Sequence, residues 1–435
     1  MSLGIIEIND SGIQVAVDTD LVLTSPGYAV MDGEKLLIGE QGAQFARLLP
    51  TWTNNRFWNQ LNTDPIANAT TAVRHHADLA LAHLEQLWND ISDRTDQVIF
   101  LVPGFYDRSK LGLLLGIAKE CGIPTAGVVD TSLATASEQA MRETVLHLDI
   151  HLHRITLTRL ANTANLSRTD CTTVTETGIF TLWDRWANII ANQFIQSSRY
   201  DPLQHASSEQ ALYNQLPSWI ENLQGGQGNT FELVQNDINR SVSVSNEQLM
   251  AACAPLYPQI LQSIRNELQG DQAATLLMSH RFRGFPGLTD SLNLLRNIDL
   301  IEMTPEQSIQ GALNHQDKII PGAGSITHVV NLPIATKKVV NEINKPRHAT
   351  HILFDNHAMA IGQSFKLSND FSSGIKQDLT NPICTIFPRG VELYIDSHTA
   401  DTLTINGKTA TEKTTLKPGD NISVGEHSMT LISSS

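Results

Sequence analysis

The sequence predicts an α/β body followed by a small all-β sandwich, and three observations predict it. Between Gln97 and Arg142 apolar strand runs alternate with helical stretches, the β-α-β-α rhythm of a mainly parallel sheet flanked by helices. Beyond about Gly324 no helical periodicity is left, and strand-like runs recur about every eight to twelve residues, as in a β-sandwich. At 435 residues and 41% hydrophobic content, the chain is also too long for one small core.

The opening is strand-rich: LGIIEI, a turn at NDSG, IQVAVD, then LVLTSPGYAVMDGEKLLIG, broken by Gly, Asp and Pro. The turns NDSG and MDGEK have hairpin chemistry, with glycine free to take positive φ. From about Asn68 to Ile91 the apolar spacing predicts a helix. QVIFLVPGFY reads as a buried strand, SKLGLLLGIAKECG as a helix, PTAGVVD as a strand and TSLATASEQAMR as a further helix. VLHLDIHLHRITLTRL then alternates Leu146, Leu148, Ile150 and Leu152 with His147, Asp149, His151 and His153, the mark of a half-buried strand. Its hairpin partner lies near CTTVTETGIF. Residues 181–225 and 246–269 read as largely helical, the second stretch opened by a capping box from Ser245 to Gln248. ATLLMS is a buried strand and TPEQSIQGALNH a short helix with Pro305 in its first turn. TKKVVNEINKPRHAT is a basic, polar stretch expected to be a linker, and only short strands and turns follow.

Composition narrows the function classes. A formal net charge of −15 argues against a nucleic-acid partner, which needs clustered Lys and Arg. No apolar run reaches the length of a bilayer span, and MSLGIIEIND has no basic leader, so a cytoplasmic protein without a membrane partner is expected. The four cysteines (Cys121, Cys171, Cys253, Cys384) are far apart with no CxxC spacing, which predicts reduced, mostly buried thiols. No GxSxG elbow occurs, and no cysteine has an activating histidine beside it in sequence.

Four segments, in order and spacing, resemble the nucleotide-binding domain of the 70-kilodalton heat-shock chaperones, within the actin-like ATPase superfamily. GIIEINDSGIQVAV resembles the first phosphate hairpin, and residues 98–140 the strand-Val-Pro-helix-Gly-strand-helix connection. VLHLDIHLHRITLTRL resembles the second phosphate hairpin; ATLLMSHRFRGFPGLTDSL with EMTPEQSIQGALNH resembles the adenosine-side turn and its closing helix. The resemblance implies a two-lobed fold of duplicated mixed sheets flanked by helices, with lobe I over 1–145, lobe II over 146–324 and a linker over 325–349. It also implies ATP and magnesium as cofactors. Glu7 and Asp149 would stand at the catalytic carboxylate positions, Asn9, Asp10, Ser11 and Asp149 at the phosphates, and Ser279 and Gly284 at the adenosine.

Phosphate cradles need glycine-rich turns whose backbone N–H groups converge, with carboxylates holding the metal. Here Glu7 replaces the family's Asp and Asn9 its Gly, while His151-Leu152-His153-Arg154 replaces Gly-Gly-Gly-Thr after Asp149. The adenosine-side Gly-Gly becomes Ser279-His280, His205 to Asn239 contains no Lys or Arg, and the early catalytic lysine has no match, Arg56 lying out of register. An imidazole at a cradle glycine takes the room of the phosphate. The expectation is therefore a degenerate pseudo-ATPase, a chaperone-like scaffold or assembly factor that binds a protein partner. The alternative is a divergent ATP-binding, ATP-hydrolysing chaperone-like enzyme.

Residues 350–435 resemble a forkhead-associated domain through Ile361-Gly362, Asn406-Gly407 and the run from Leu416 to Gly425. Those domains read phosphothreonine through an Arg, whose position is Gln363 here, and an Asn, matched by Asn406; the two are the candidate partner-binding residues.

Other clusters have plain readings beside functional ones. The His147, Asp149, His151, His153 row sets neighbours about 7 Å apart, a metal-ligand spacing, against a polar or side-chain-filled cleft face. No metal is expected, and His151 and His153 are read as filling the cleft. His75-His76 is read as a surface pair, Trp183 and Trp186 as helix core, and Asp107 and Asp130 as strand-end carboxylates, with capping favoured for Asp130. Lys337-Lys338, Lys345 and Arg347 are either a solvated linker or a docking handle.

Overall fold

The computed structural model describes residues 2–33, 35–71, 73–223, 229–235, 238–268, 272–322, 326–333, 349–354, 357–361, 364–367, 382–389, 392–398, 403–410, 414–424 and 427–432. The chain divides into two compact units, Met1–Val340 and Asn341–Ser435.

The first unit begins with the meander β1 (Leu3–Glu7), β2 (Ile13–Val17) and β3 (Asp20–Ser25), then the hairpin β4 (Ala29–Asp32) and β5 (Lys35–Ile38). Next come α1 (Glu40–Phe45), β6 (Thr53–Asn54), α2 (Phe57–Gln60) and α3 (His76–Asn89). The expected helix from Asn68 starts late: His75 caps α3 in a reciprocal box with Asp78, so His75 and His76 open the helix. β7 (Gln97–Val102), α4 (Arg108–Glu120), β8 (Thr125–Asp130) and α5 (Thr131–Ala136) complete this half. Asp107 caps α4 and Asp130 caps α5, so both strand-end carboxylates have structural work.

The second half repeats the scheme: β9 (Thr144–Ile150), β10 (Arg154–Asn162), β11 (Asn165–Thr175), α6 (Ile179–Ser198) and α7 (Ala206–Glu221). A ribbon of β12 (Asn229–Gln235) and β13 (Ile238–Val244) leads to α8 (Asn246–Cys253), which carries the predicted Ser245–Gln248 box, and α9 (Tyr257–Glu267). β14 (Ala274–Met278), α10 (Leu288–Asn293), β15 (Ile298–Glu302), α11 (Glu306–Asn314) and α12 (Gln316–Ile319) follow.

The two six-stranded sheets share one strand order. In the first, β1-β2-β3 runs antiparallel and β7 then β8 add in parallel on the far side of β1. In the second, β9-β10-β11 is the antiparallel meander and β14 then β15 add in parallel beyond β9. The sheets are thus mixed, where a mainly parallel one is expected from the β-α-β-α stretch alone.

One segment finishes both sheets. β16 (His328–Val329) pairs in parallel with β8, and β17 (Asn331–Pro333) pairs antiparallel with β11. These strands lie inside the stretch predicted to be linker; Leu332, fully buried, explains why they pack. Lys337, Lys338, Lys345 and Arg347 lie outside the described residues.

β9 is buried on both faces, which corrects the half-buried expectation. Leu146, Leu148 and Ile150 join the Trp186, Phe194 and Leu212 core of the second half, while His147 and Asp149 turn toward the first half. Trp186 is core, its indole donating to Leu249 O at 3.1 Å, whereas Trp183 is only partly buried.

The second unit is a sandwich of β18 (His351–Phe354), β19 (His357–Ala360), β20 (Phe365–Leu367), β21 (Cys384–Arg389), β22 (Glu392–Ser397), β23 (Leu403–Ile405), β24 (Lys408–Thr409), β25 (Thr414–Leu416), β26 (Asn421–Val424) and β27 (His427–Ile432). A six-stranded sheet β19-β18-β27-β26-β23-β24 and a four-stranded sheet β20-β21-β22-β25 contribute to one core that includes Ile352, Phe365, Ile386, Ile395 and Leu431.

Candidate functional site

The first hairpin turns from β1 to β2 through Ile8 to Gly12, closed by Gly12 N donating to Asn9 O at 2.9 Å. Gly12 is not left-handed, contrary to the hairpin expectation; a Cβ there would lie 2.8 Å from Thr24 Cγ2, so the exposed Thr24 side chain would have to shift. The second turns from β9 to β10 through His151-Leu152-His153, closed by His151 N donating to Arg154 O at 2.8 Å. The two histidines therefore sit in the turn, past the end of the strand.

The hairpin tips bond to each other. Asn9 Nδ2 donates to Asp149 Oδ2 at 2.9 Å and Ile150 O at 3.1 Å. Leu152 N donates to Asp10 Oδ1 at 2.8 Å, and Ser11 Oγ donates to Asn9 Oδ1 at 2.8 Å. Each amide or hydroxyl named here, of the kind a phosphate cradle would aim at a ligand, is thus committed to the opposite turn or its own. Five of the predicted site residues (Asn9, Asp10, Ser11, Asp149 and Glu7) come together here.

Beneath the tips lies a buried charge cluster centred on Arg281, from the single 3-10 turn after β14. Its Nη2 is 2.9 Å from Glu7 Oε1 and donates to Gly12 O at 3.2 Å, and its Nη1 is 3.7 Å from Asp149 Oδ1. Ser308 Oγ donates to the other Glu7 oxygen at 2.5 Å. With an 8% exposed side chain, Arg281 is tolerable only because carboxylates from both halves answer it. Burial pushes the Asp149 carboxyl up, but Arg281, His151, His147 and the Ser279 hydroxyl together hold it well below the usual carboxylate range. Burial pushes His147 down and, with Arg281 beside it, takes His280 down to about 3, so both imidazoles are neutral near pH 7.

The space left is about 10 Å³, bordered by Glu7, Thr131, His147, Asp149, Arg281 and Ser308. That is room for about one water molecule. Thr131 Oγ1 is buried there without a hydrogen-bond partner.

The remaining residues separate from this centre. His151 packs edge-on against Phe105 at 5.1 Å, its Nδ1 3.6 Å from Asp10 Oδ1. His153 Nε2 meets Asn55 Oδ1 at 3.0 Å, and its ring lies 5.4 Å from Phe180. The described residues hold no group of three or more His, Cys, Asp or Glu arranged to bind a metal. Ser279 joins the cluster through Asp149. Gly284 does not: its φ is +78°, and any Cβ at this position would fall 2.0 Å from Ile220 O, so only glycine lets the turn close on α7. Arg56 is spent on Glu176, at 2.9 Å.

A second set of contacts joins the halves farther out. Arg47 Nη2 lies 2.5 Å from Asp184 Oδ1 and Nη1 3.3 Å from Glu209 Oε1, with the guanidinium 3.7 Å over the Tyr213 ring. Arg47 N donates to Gln210 Oε1 at 2.7 Å, and Gln210 Nε2 donates to Ala43 O at 2.9 Å. Between this clamp and Ser11 lies a cavity of about 370 Å³ walled by Tyr28, Trp183 and Tyr213.

Sequence reasoning missed Arg281, Arg47 and Ser308. Arg281 had a signal: two carboxylates expected in one buried cleft require a cation, and Arg281 follows the Ser279-His280 pair directly. In the sandwich unit, Asn406 and Gly407 form a left-handed turn. The Asn406 amide is bound to Asp420 Oδ1 and Asn421 N, both at 2.8 Å, so it braces its own turn. Gln363 lies outside the described residues.

No protein-family model matches this chain, and no curated protein matches it.

Proposed function

We propose that this chain is a chaperone-like protein of the two-lobed actin type whose body has lost nucleotide chemistry and acts as a protein-binding scaffold or assembly factor. The repeated strand order of the two sheets supports the fold reading. One observation carries the loss of chemistry: Arg281, Glu7, Asp149 and Asn9 fill the gap between the hairpins, leaving about 10 Å³. ATP and magnesium do not fit these residues. Glu7 and Asp149, the carboxylates expected to serve a metal, are neutralised by an internal cation, and the cradle amide of Leu152 is taken by Asp10. The cleft then holds two lobes in one closed arrangement, and the forkhead-associated-like unit supplies a second docking surface to the same scaffold.

Millimolar ATP with magnesium is expected to leave the melting temperature unchanged, because a ligand bound to the native state must raise it. A rise, or magnesium-dependent turnover that vanishes in Asp149→Ala, overturns the reading. One feature favours ATP binding: the cavity beside Ser11, whose roughly 370 Å³ falls in the range of ligand sites. Among the described residues its one cationic wall residue, Arg47, is already matched by Asp184 and Glu209, which leaves a triphosphate without a counter-charge there.

A further inference from the structure

We infer that the open edge of β15, with the groove at its N-terminal end, docks an extended acidic segment of a partner protein by strand addition. Among the described residues the two sheets have four margins. β8 and β11 are capped by β16 and β17, and β3 lies on a meander with a register shift at Val15/Ala16, a bulge that twists an edge away from pairing. β15 pairs with β14 over five residues without a shift, and it is the last strand of its sheet. Ala274 N donates to Asn297 O, so in this parallel ladder Asn297, Asp299 and Ile301 face β14. The peptide groups of Ile298, Leu300 and Glu302 then face outward, as a template for another strand.

The groove beside this edge states the chemistry of the occupant. It measures about 300 Å³ and is bordered by Arg265 and Leu268 at the end of α9 and by Leu294, Leu295 and Arg296 before β15. Leu294 is 82% exposed, more than any other large exposed hydrophobic residue described. Neither Arg265 nor Arg296 forms an ion pair among the described residues. Of the described acids nearby, Asp299 is paired with Arg142 at 2.5 Å, while Glu302 and Glu267 accept from the hydroxyls of Thr289 at 2.9 Å and Thr172 at 2.7 Å. Two unmatched guanidinium groups flanking an exposed leucine, on a chain of net charge −15, select an acidic strand with apolar alternate residues. The occupant's acidic end lies over the groove and its backbone along β15. This site neither uses nor needs the filled cleft, so the two readings stand or fall separately.

The test is fluorescence anisotropy on the full chain with a labelled peptide of about ten alternating glutamate and valine residues. Saturable binding is expected, weakened at least about tenfold by Arg265→Glu with Arg296→Glu, two surface changes that leave the melting temperature in place. A peptide N-methylated on alternate residues, unable to extend the ladder, is expected not to bind, and neither is its lysine-for-glutamate counterpart. Unchanged affinity in the double variant, equal binding of the lysine peptide, or no saturation by millimolar concentration overturns the proposal. So does sedimentation showing a dimer that the double variant dissolves, since the edge would then belong to a second copy.

Discussion

Arg281 and Glu7 meet at 2.9 Å in the buried centre of the first unit, one from the turn after β14 and the other from the end of β1. The pair ties the turn after β14 in one half to the first strand of the other. Removing one partner strands a buried charge, so Arg281→Ala should cost about 3–5 kcal/mol in urea unfolding. Combining Arg281→Met with Glu7→Gln should recover much of that loss. A single-variant cost below about 1 kcal/mol would show that the cluster does not hold the halves together.

The depressed Asp149 pKa sets an acid limit. Its folded value lies below the unfolded value, so its contribution is complete above the ordinary carboxylate range, about pH 3.9, and is lost as pH falls through the folded value. The stability gap between the wild type and Asp149→Asn should therefore narrow on acidification. A gap constant from neutral pH down to acid unfolding would contradict this.

His83 predicts a different window. Its ring accepts from Trp58 Nε1 at 3.0 Å and meets Ser25 Oγ at 2.8 Å, and burial takes its pKa down to about 3. The unfolded imidazole binds its proton near pH 6.5 while the folded one does not, so stability falls from there toward pH 3. The slope approaches about 1.4 kcal/mol per pH unit for this one group. His83→Gln should flatten it by that amount between about pH 6 and 4, to be read from denaturant midpoints.

Arg47 and its acidic partners are partly open to solvent screening, so this clamp is weaker than the Arg281 cluster. Arg47→Ala should cost about 1–2 kcal/mol and speed amide exchange in α6 and α7, where its partners Asp184, Glu209 and Gln210 lie. Unaltered exchange in both helices would show that the outer contacts do not restrain the halves.

In the sandwich unit, Asn406→Ala removes two bonds that brace a left-handed turn and should cost about 1–2 kcal/mol. A two-transition melt should shift only in the component of the second unit. A phosphothreonine peptide that binds the wild type and is lost in the variant would give Asn406 the recognition role that its position implies.

Much of the frame is legible in the sequence because it follows periodicity and caps. The buried run QVIFLV, the Ser245–Gln248 box and the all-β character of the described residues between 351 and 432 each rest on local chemistry. The late start of α3 is not: Thr70 N donates to Val73 O and Ile66 N to Arg74 O, backbone bonds that turn the chain before His75 opens the helix. At the site, Glu7, Asn9, Asp10, Ser11 and Asp149 are placed by their hairpins. Arg281 is not, because its meaning depends on carboxylates distant in sequence. From sequence, His151 and His153 fill the cleft; in the structure, the cation from the second half does most of that filling.

The segment from His328 to Pro333 has a mechanical consequence. It is zipped by a two-residue pairing to β8 and a three-residue pairing to β11, and the chain continues from it toward the second unit. A pull on the chain beyond Pro333 would load Leu332 and the short β17 ladder before either hairpin. The body would therefore yield by peeling this segment, with both sheet margins laid bare while Arg281 still held the centre closed.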